Sequence, residues 1–212
     1  MPVVRIPGMT EHGRPLDERD VAADPVVQFA AWFREAGQVG LRLPEAAALA
    51  TATPEAVPAA RMVLVKGFDA RGFVFFSNYE SRKGSELAAN PRAALVFYWD
   101  ELGRQVRIEG PVERTSRDES DAYARSRPRA SQLSALASPQ SQIVESRAAL
   151  EGRVRELEAL YAERDPPVPA NWGGFRLKPD SLEFWQQRDD RLHDRLRYRR
   201  SDGGWAIERL AP

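Results

Sequence analysis

The sequence predicts a mainly β fold with peripheral helices, a closed or nearly closed antiparallel barrel. Three observations point there. Six to eight short β-rich runs follow one another along the chain, with helices inserted between them. Strands alternating with helices at βαβ length are missing from the pattern, which argues against a doubly wound nucleotide-binding sheet. Neither a glycine-rich dinucleotide fingerprint nor a Walker loop is present.

Residues 1–23 are polar, carry Pro2, Pro7 and Pro15, and read as a flexible N-terminal arm; residues 24–212 read as a single domain. Asp24-Pro25 places an N-cap before a proline at the first helical position. Phe29, Trp32 and Phe33 then recur at helical spacing, so a helix is expected to about Gly37. From Ala46 the pattern turns to strands: Ala47–Thr53, Arg61–Phe68, Gly72–Ser77, Ala93–Trp99 and Arg104–Val112. The short loop Asp69–Gly72 joins two of them as a hairpin. Ser81–Asn90 is helical in composition and is stopped by Asn90-Pro91. Ser116-Arg-Asp-Glu119 matches a capping box and opens a helix that Pro128 ends. Ser131–Ala137 reads as a second short helix. Ser146 opens a longer one, with Leu150, Val154, Leu157 and Tyr161 at helical spacing. After the stiff linker Asp165–Pro169, three more strands are expected, near Gly174–Phe184, Arg191–Tyr198 and Trp205–Leu210.

The composition narrows the chemistry. The chain has 212 residues, 42% hydrophobic and 29% charged, an ordinary globular balance. Basic and acidic side chains cancel at 31 each, so no overall field recruits nucleic acid or an anionic membrane. With no cysteine, disulfides, thiolate zinc sites and cysteine nucleophiles are excluded. The two histidines, His12 and His193, are too few for a multi-histidine metal centre, and no metal is expected. No apolar run approaches the roughly 20 residues of a membrane span, and the N-terminus lacks an apolar signal core. A cytoplasmic protein is the expectation.

Among the 31 cations only Lys66, Lys83 and Lys178 are lysines. In so arginine-rich a chain, a lysine is a candidate where a compact point charge is wanted, as at a phosphate. Four constellations carry cations. Ser81-Arg82-Lys83 lies at a predicted helix start, where free N–H groups and the dipole favour an anion; a solvated basic turn is the plainer reading. Arg61-Met-Val-Leu-Val-Lys66 is an apolar strand with a cation at each end, and alternation sends Arg61 and Lys66 to opposite faces unless the strand bulges. Its plainer reading is solubilising charge flanking a core strand. Tyr123 and Arg127 share a helix face and Ser131 follows, a set suited to a phosphate or carboxylate or simply to a surface helix end. Arg191, His193 and Arg195, read as a strand, point one way, and such a row repels itself unless an anion lies across it.

These segments occur together with others in a fixed order. Arg61-Met-Val-Leu-Val-Lys-Gly67, Ser81-Arg-Lys83, Asn90-Pro-Arg92, Arg104-Gln-Val106, Ser126-Arg-Pro-Arg129, Ser138-Pro-Gln-Ser-Gln142, Trp172-Gly-Gly174, Glu183-Phe-Trp-Gln186 and Arg191-Leu-His-Asp-Arg195 precede a closing Glu208-Arg-Leu-Ala-Pro212. From about Asp24 onward the pattern resembles the pyridoxine/pyridoxamine 5′-phosphate oxidase family. The resemblance implies an FMN-binding split barrel that works as a homodimer with flavin at the subunit interface. It implies that Arg61, Lys83 and Ser141 hold the FMN phosphate, with Met62, Val63, Leu64, Phe76, Ser77 and Arg82 alongside. Gln105, Gln140, Trp185 and Arg195 match positions around the isoalloxazine or ribityl chain. Lys66, Tyr123, Arg127 and Ser131 match the substrate-phosphate clamp, and Arg191 and His193 the catalytic pair over the pyridine ring.

The implied reaction oxidises the 4′ carbon of pyridoxamine or pyridoxine 5′-phosphate, passing hydride to the flavin; oxygen then reoxidises the flavin and leaves hydrogen peroxide. Three segments depart from the family pattern. No tyrosine accompanies the arm near Arg5–Met9, Ser134-Ala135-Leu136 replaces glycine-alanine-tryptophan, and the loop Thr53–Pro58 is short. The first two imply looser substrate selection around an intact flavin site. Two alternatives stand beside the main reading: a sister flavin oxidase of another aromatic, such as a phenazine precursor, and a non-catalytic protein that binds flavin or pyridoxal phosphate.

Overall fold

In the computed structural model, residues 15–212 are described. They fall into two compact units, each assembled from separate stretches of chain: residues 15–45, Leu95–Ile108 and Asp180–Pro212 form the first, and Ala46–Ala94 and Glu109–Pro179 the second. Among the described residues, no helix is long and apolar enough to cross a membrane.

The second unit is built on antiparallel hairpins. Strands β1 (Ala46–Ala52) and β2 (Pro58–Asp69) pair from Ala46↔Leu64 to Ala52↔Pro58. The expected hairpin at Asp69–Gly72 joins β2 to β3 (Gly72–Asn78), with Asp69 opposite Gly72. The register slips by one residue between Val65 and Gly67, so Lys66 sits in a bulge. Helix α2 (Arg82–Ala89) follows β3, with Ser81 as its N-cap. Strand β4 (Arg92–Trp99) and β5 (Arg104–Arg114) each run through both units. Helices α3 (Arg117–Ser126), α4 (Arg129–Ala137) and α5 (Arg147–Leu160) come next, then β6 (Trp172–Leu177). The sheet order here is β1-β2-β3-β6-β5, and β4 lies beside β1 and also pairs with β5. Leu49, Phe73, Phe75, Phe175 and Leu177 bury the inner face.

The first unit holds α1 (Pro25–Gln38) and β7 (Ser181–Gln186), β8 (Asp194–Ser201) and β9 (Gly204–Arg209), which pair in that order beside β5. Asp24 caps α1 as expected, its carboxylate accepting from the Val26 amide at 2.7 Å. The buried stripe of α1 packs Phe29 edge-on to Phe97 at 5.0 Å, and Trp32 edge-on to Phe184 at 5.2 Å. The described end of the N-terminal segment is held here: Leu16 is buried, its amide donates to Asp194 and its carbonyl accepts from Arg209.

The antiparallel split-barrel class expected from the sequence is the class observed, with helices at the periphery. Several strand ends shift by a few residues, and two departures are larger. The run Gly174–Phe184 is two strands rather than one, because Pro179 cannot donate to a ladder. The strand expected from Arg191 begins only at Asp194, because Arg191 takes a left-handed φ of +62°. The capping box is also half used. Ser116 accepts from the Glu119 amide at 3.1 Å, but the Glu119 carboxylate turns to Arg176 instead.

Gly84, in the first turn of α2, lies against Tyr79, where an added Cβ would stand 2.1 Å from a backbone oxygen. Gly84→Ala is therefore expected to lower stability by about 1–3 kcal/mol. Gly152, in α5, has only the end of Arg155 within 4 Å of such an atom, and Gly152→Ala is expected to raise stability by about 0.4–1 kcal/mol. Denaturant unfolding of the two variants checks both signs.

Candidate functional site

The second unit gathers most of the cations singled out in the sequence. The N-terminal turn of α2 supplies Arg82 and Lys83, β2 supplies Arg61, and β3 supplies Ser77. Lys83 is buried, and its Nζ donates to Ser77 Oγ (3.0 Å), Ser81 Oγ (3.3 Å) and Gln140 Oε1 (3.1 Å). Ser77 Oγ in turn donates to Gln140 Oε1 at 2.9 Å. Every one of these acceptors is a neutral oxygen. Burial, reinforced by the charge of Arg61, lowers the Lys83 pKa below the ordinary lysine value, against the opposing pull of Glu86. Ser141, next to Gln140, is exposed in a left-handed conformation with φ +72°.

Glu86 is the member that sequence reasoning missed. Its carboxylate is buried and accepts from Arg61 Nη2 (2.9 Å), Arg82 Nε (2.8 Å) and Thr51 Oγ1 (2.5 Å). The i,i+4 spacing of Arg82 and Glu86 was the available signal. Among the described residues, one carboxylate faces three cations, so positive charge is left over. The donors, hydroxyls and surplus charge beside a helix start fit a phosphate group.

Phe76 and Lys66 lead to a second cluster. Phe76 stacks on Tyr123 at 3.8 Å between centroids, and Trp172 lies parallel beyond it at 5.6 Å from Phe76. Lys66, Tyr123 and Phe76 line one cavity of about 240 Å³, together with Asp69, Glu119 and Arg176. The bulge places Lys66 there. Arg127, four residues on from Tyr123, lies over the Trp172 ring at 5.0 Å, and burial lowers its pKa. No carboxylate pairs with it among the described residues. Ser131 sits in the first turn of α4, its amide donating to Pro128 O at 2.8 Å; it does not line the Lys66–Tyr123 cavity. Met62 and Leu64 are exposed on the outer face of β2, while Arg61, Val63 and Val65 face inward.

The first unit carries the remaining candidates. Trp185 on β7 stands opposite Arg195 on β8, and Gln105 lies on β5. The His193 ring is 4.7 Å from that of Trp185. His193 Nδ1 accepts from the Arg188 amide at 3.0 Å, so a neutral imidazole carries its proton on Nε2. The expected row of Arg191, His193 and Arg195 on one strand face is not formed. Arg191 and His193 precede β8, and Arg195 is neutralised by the buried Glu183, to which its Nε donates at 2.8 Å. Arg107 closes on the other oxygen of Glu183 at 2.8 Å. Among the described residues, no group of three acidic or histidine side chains is placed to hold a metal ion.

Comparisons with known proteins follow the same residues. The family pattern described as pyridoxamine 5′-phosphate oxidase matches residues 33–161, and the pyridoxine 5′-phosphate oxidase C-terminal dimerisation region matches residues 172–212. A pyridoxine/pyridoxamine 5′-phosphate oxidase of Burkholderia vietnamiensis is 58% identical over 200 residues, 93% of either chain. One of Paraburkholderia phymatum is 59% identical over 198 residues, again 93% of each. Among solved structures, PhzG from Burkholderia lata 383, in complex with tetrahydrophenazine-1-carboxylic acid, superposes with a TM-score of 0.87. It is 34% identical, and the match covers 92% of this chain and 95% of that one. A pyridoxamine 5′-phosphate oxidase-related FMN-binding protein of Nostoc punctiforme shares the fold at a TM-score of 0.70 and 20% identity, over 91% of this chain and 99% of its own. With matching patterns over most of its length and relatives this similar, the chain belongs to the pyridoxamine 5′-phosphate oxidase family.

Proposed function

We propose that this protein is an FMN-dependent oxidase that converts pyridoxamine or pyridoxine 5′-phosphate to pyridoxal 5′-phosphate with O2 as acceptor, working as a homodimer. The observation that carries the reading is the pair of separate cation clusters in the second unit, one for each phosphate the reaction brings together. Arg61, Arg82 and Lys83 surround hydroxyls and a helix start, as a flavin phosphate requires. Lys66 and Tyr123 line one cavity with Phe76, while Arg127 lies over the Trp172 ring and lines a different cavity; the three are assigned to the phosphate of a planar substrate.

FMN, when bound, supplies the two-electron acceptor that O2 regenerates with release of hydrogen peroxide. The chain's own groups supply placement and charge. Lys83, held between Ser77 and Gln140, exchanges neutral acceptors for phosphate oxygens and recovers the charge stabilisation that burial withholds. Gln105, Trp185 and Arg195 are assigned to the flavin ring and its side chain. Glu183 fixes the Arg195 fork from behind. Among the described residues no carboxylate pairs with Arg127, so its guanidinium can take a substrate phosphate in a bidentate pair. Fixing that phosphate sets the reacting carbon at the flavin, a contribution of orientation. Arg191 and His193 are assigned to the pyridine ring, with the Nε2–H of His193 as the available donor.

The likeness to PhzG favours a second reading, oxidation of a non-phosphorylated aromatic acid. Oxygen uptake separates the two: turnover of pyridoxamine 5′-phosphate supports the first, and turnover confined to a phenazine precursor supports the second.

Two further outcomes are expected. Lys83→Met should weaken FMN binding by roughly 10- to 150-fold, the loss of a charged hydrogen bond of about 1.5–3 kcal/mol, in fluorescence titration of the apoprotein. FMN affinity of the unaltered protein should also fall as pH rises through the Lys83 pKa, beginning below the ordinary lysine range because burial lowers it. The cation is the binding form, so affinity is lost on deprotonation. Lys83→Arg, which does not titrate in that range, should remove this pH dependence. For Arg191→Met, kcat/KM should drop roughly 100-fold while the FMN dissociation constant changes less than about twofold. Equal losses in both would refute its place over the substrate ring.

A further inference from the structure

Arg176 is buried on β6, its side chain 5% exposed, opposite Val74 of β3 and Glu113 of β5. Its guanidinium is divided between two elements. Nη1 donates to Asp69 Oδ1 at 3.0 Å, and Nη2 donates to Glu119 Oε1 at 2.5 Å. Asp69 ends β2, just past the bulge that carries Lys66. Glu119 lies one helical turn before Tyr123 on the same face of α3. All five residues border the same cavity of about 240 Å³. Arg71 also pairs with Asp69, at 2.6 Å, so two guanidiniums meet two carboxylates and the network offers little net charge to a ligand.

We propose that Arg176 is a positioning residue for the substrate-phosphate clamp: one buried guanidinium joins the hairpin carrying Lys66 to the helix carrying Tyr123 and sets the gap between them. This deepens the oxidase reading and rests on Lys66 and Tyr123 contacting the substrate phosphate. The bulge needs such a tie, because a slipped register leaves Lys66 without the ladder geometry that would otherwise fix its direction. Tyr123 needs it because α3 turns its capping glutamate to Arg176 rather than to its own N-terminus. A planar fork reaches the two carboxylates through separate nitrogens at a fixed angle, and an ammonium in its place has no such fixed fork.

The test uses the FMN-loaded enzyme and compares Arg176→Lys, Glu119→Gln and Lys66→Met. Each is assayed with pyridoxamine 5′-phosphate, with pyridoxamine lacking the phosphate, and for inhibition by inorganic phosphate. Arg176→Lys is expected to raise KM for the phosphorylated substrate roughly 10-fold, with kcat falling less than about threefold. It should weaken inhibition by phosphate and leave both FMN affinity and kcat/KM for unphosphorylated pyridoxamine within about twofold. A folded Arg176→Lys enzyme with unchanged KM overturns the proposal, as does a parallel loss of FMN affinity and of activity on both substrates, the pattern of general loosening. Should Arg176→Lys fail to fold, Glu119→Gln decides: a raised KM for the phosphorylated substrate alone supports the tie, and an unchanged one refutes it. Lys66→Met tests the parent reading separately. If it leaves KM unchanged the clamp assignment is wrong, whereas a raised KM there with none in the Arg176 variant removes only the positioning role.

Discussion

A buried ammonium whose hydrogen bonds all go to neutral oxygens is a standing electrostatic cost, and the architecture around Lys83 follows from it. Lys83 occupies the first turn of α2, where the free amides of the helix start add positive character rather than relieve it. That turn stays where it is because Ser81 caps it and because Gly84 lets it close on Tyr79. Arg61 adds a further positive charge from β2. Among the described residues, the carboxylate beside them is Glu86, shared by Arg61 and Arg82. An anion would offset the surplus charge, and the proposed phosphate site rests on that surplus.

Two arginines, Arg195 in the first unit and Arg127 in the second, are held differently. In the first unit Arg195 and Arg107 close on the buried Glu183, so Arg195 has a fixed direction and a compensated charge. Such a group orients and hydrogen-bonds with its remaining N–H groups more than it attracts. In the second unit Arg127 has an aromatic face for company, and burial lowers its pKa. That guanidinium is the attractive kind, drawn to whatever brings negative charge over the Trp172 ring. In the proposed oxidase, capture and orientation would thus fall to different residues.

Local signals made most of the fold legible. Asp24-Pro25, Ser81, Ser116 and Ser146 all cap helices at the places their sequence context indicates, because capping is decided within a few residues. The hairpin at Asp69–Gly72 is local for the same reason. What escaped was non-local or depended on a backbone exception. Glu86 and Glu183 read as ordinary helix and strand residues, and only tertiary packing sets them among arginines from other elements. Residues 191–195 alternate like a strand, yet Arg191 is in a left-handed conformation that periodicity does not reveal. The Glu119 carboxylate was assigned to its own helix end, but a buried guanidinium offered a stronger, charged partner.

The bulge in β2 shows how these levels meet. Strict alternation sends Arg61 and Lys66 to opposite faces, and the burial pattern keeps to that: Arg61, Val63 and Val65 are inside, and Met62, Leu64 and Lys66 outside. One added residue between Val65 and Gly67 then lets Phe68 stack on Phe73 beyond the break, so the hydrophobic hairpin is kept while Lys66 is turned toward Tyr123. A strand without the bulge would present the same two cations but would hold Lys66 by ladder geometry alone. Alternation therefore puts Arg61 on the inner face and Lys66 on the outer one, and the inserted residue breaks the ladder at Lys66 alone.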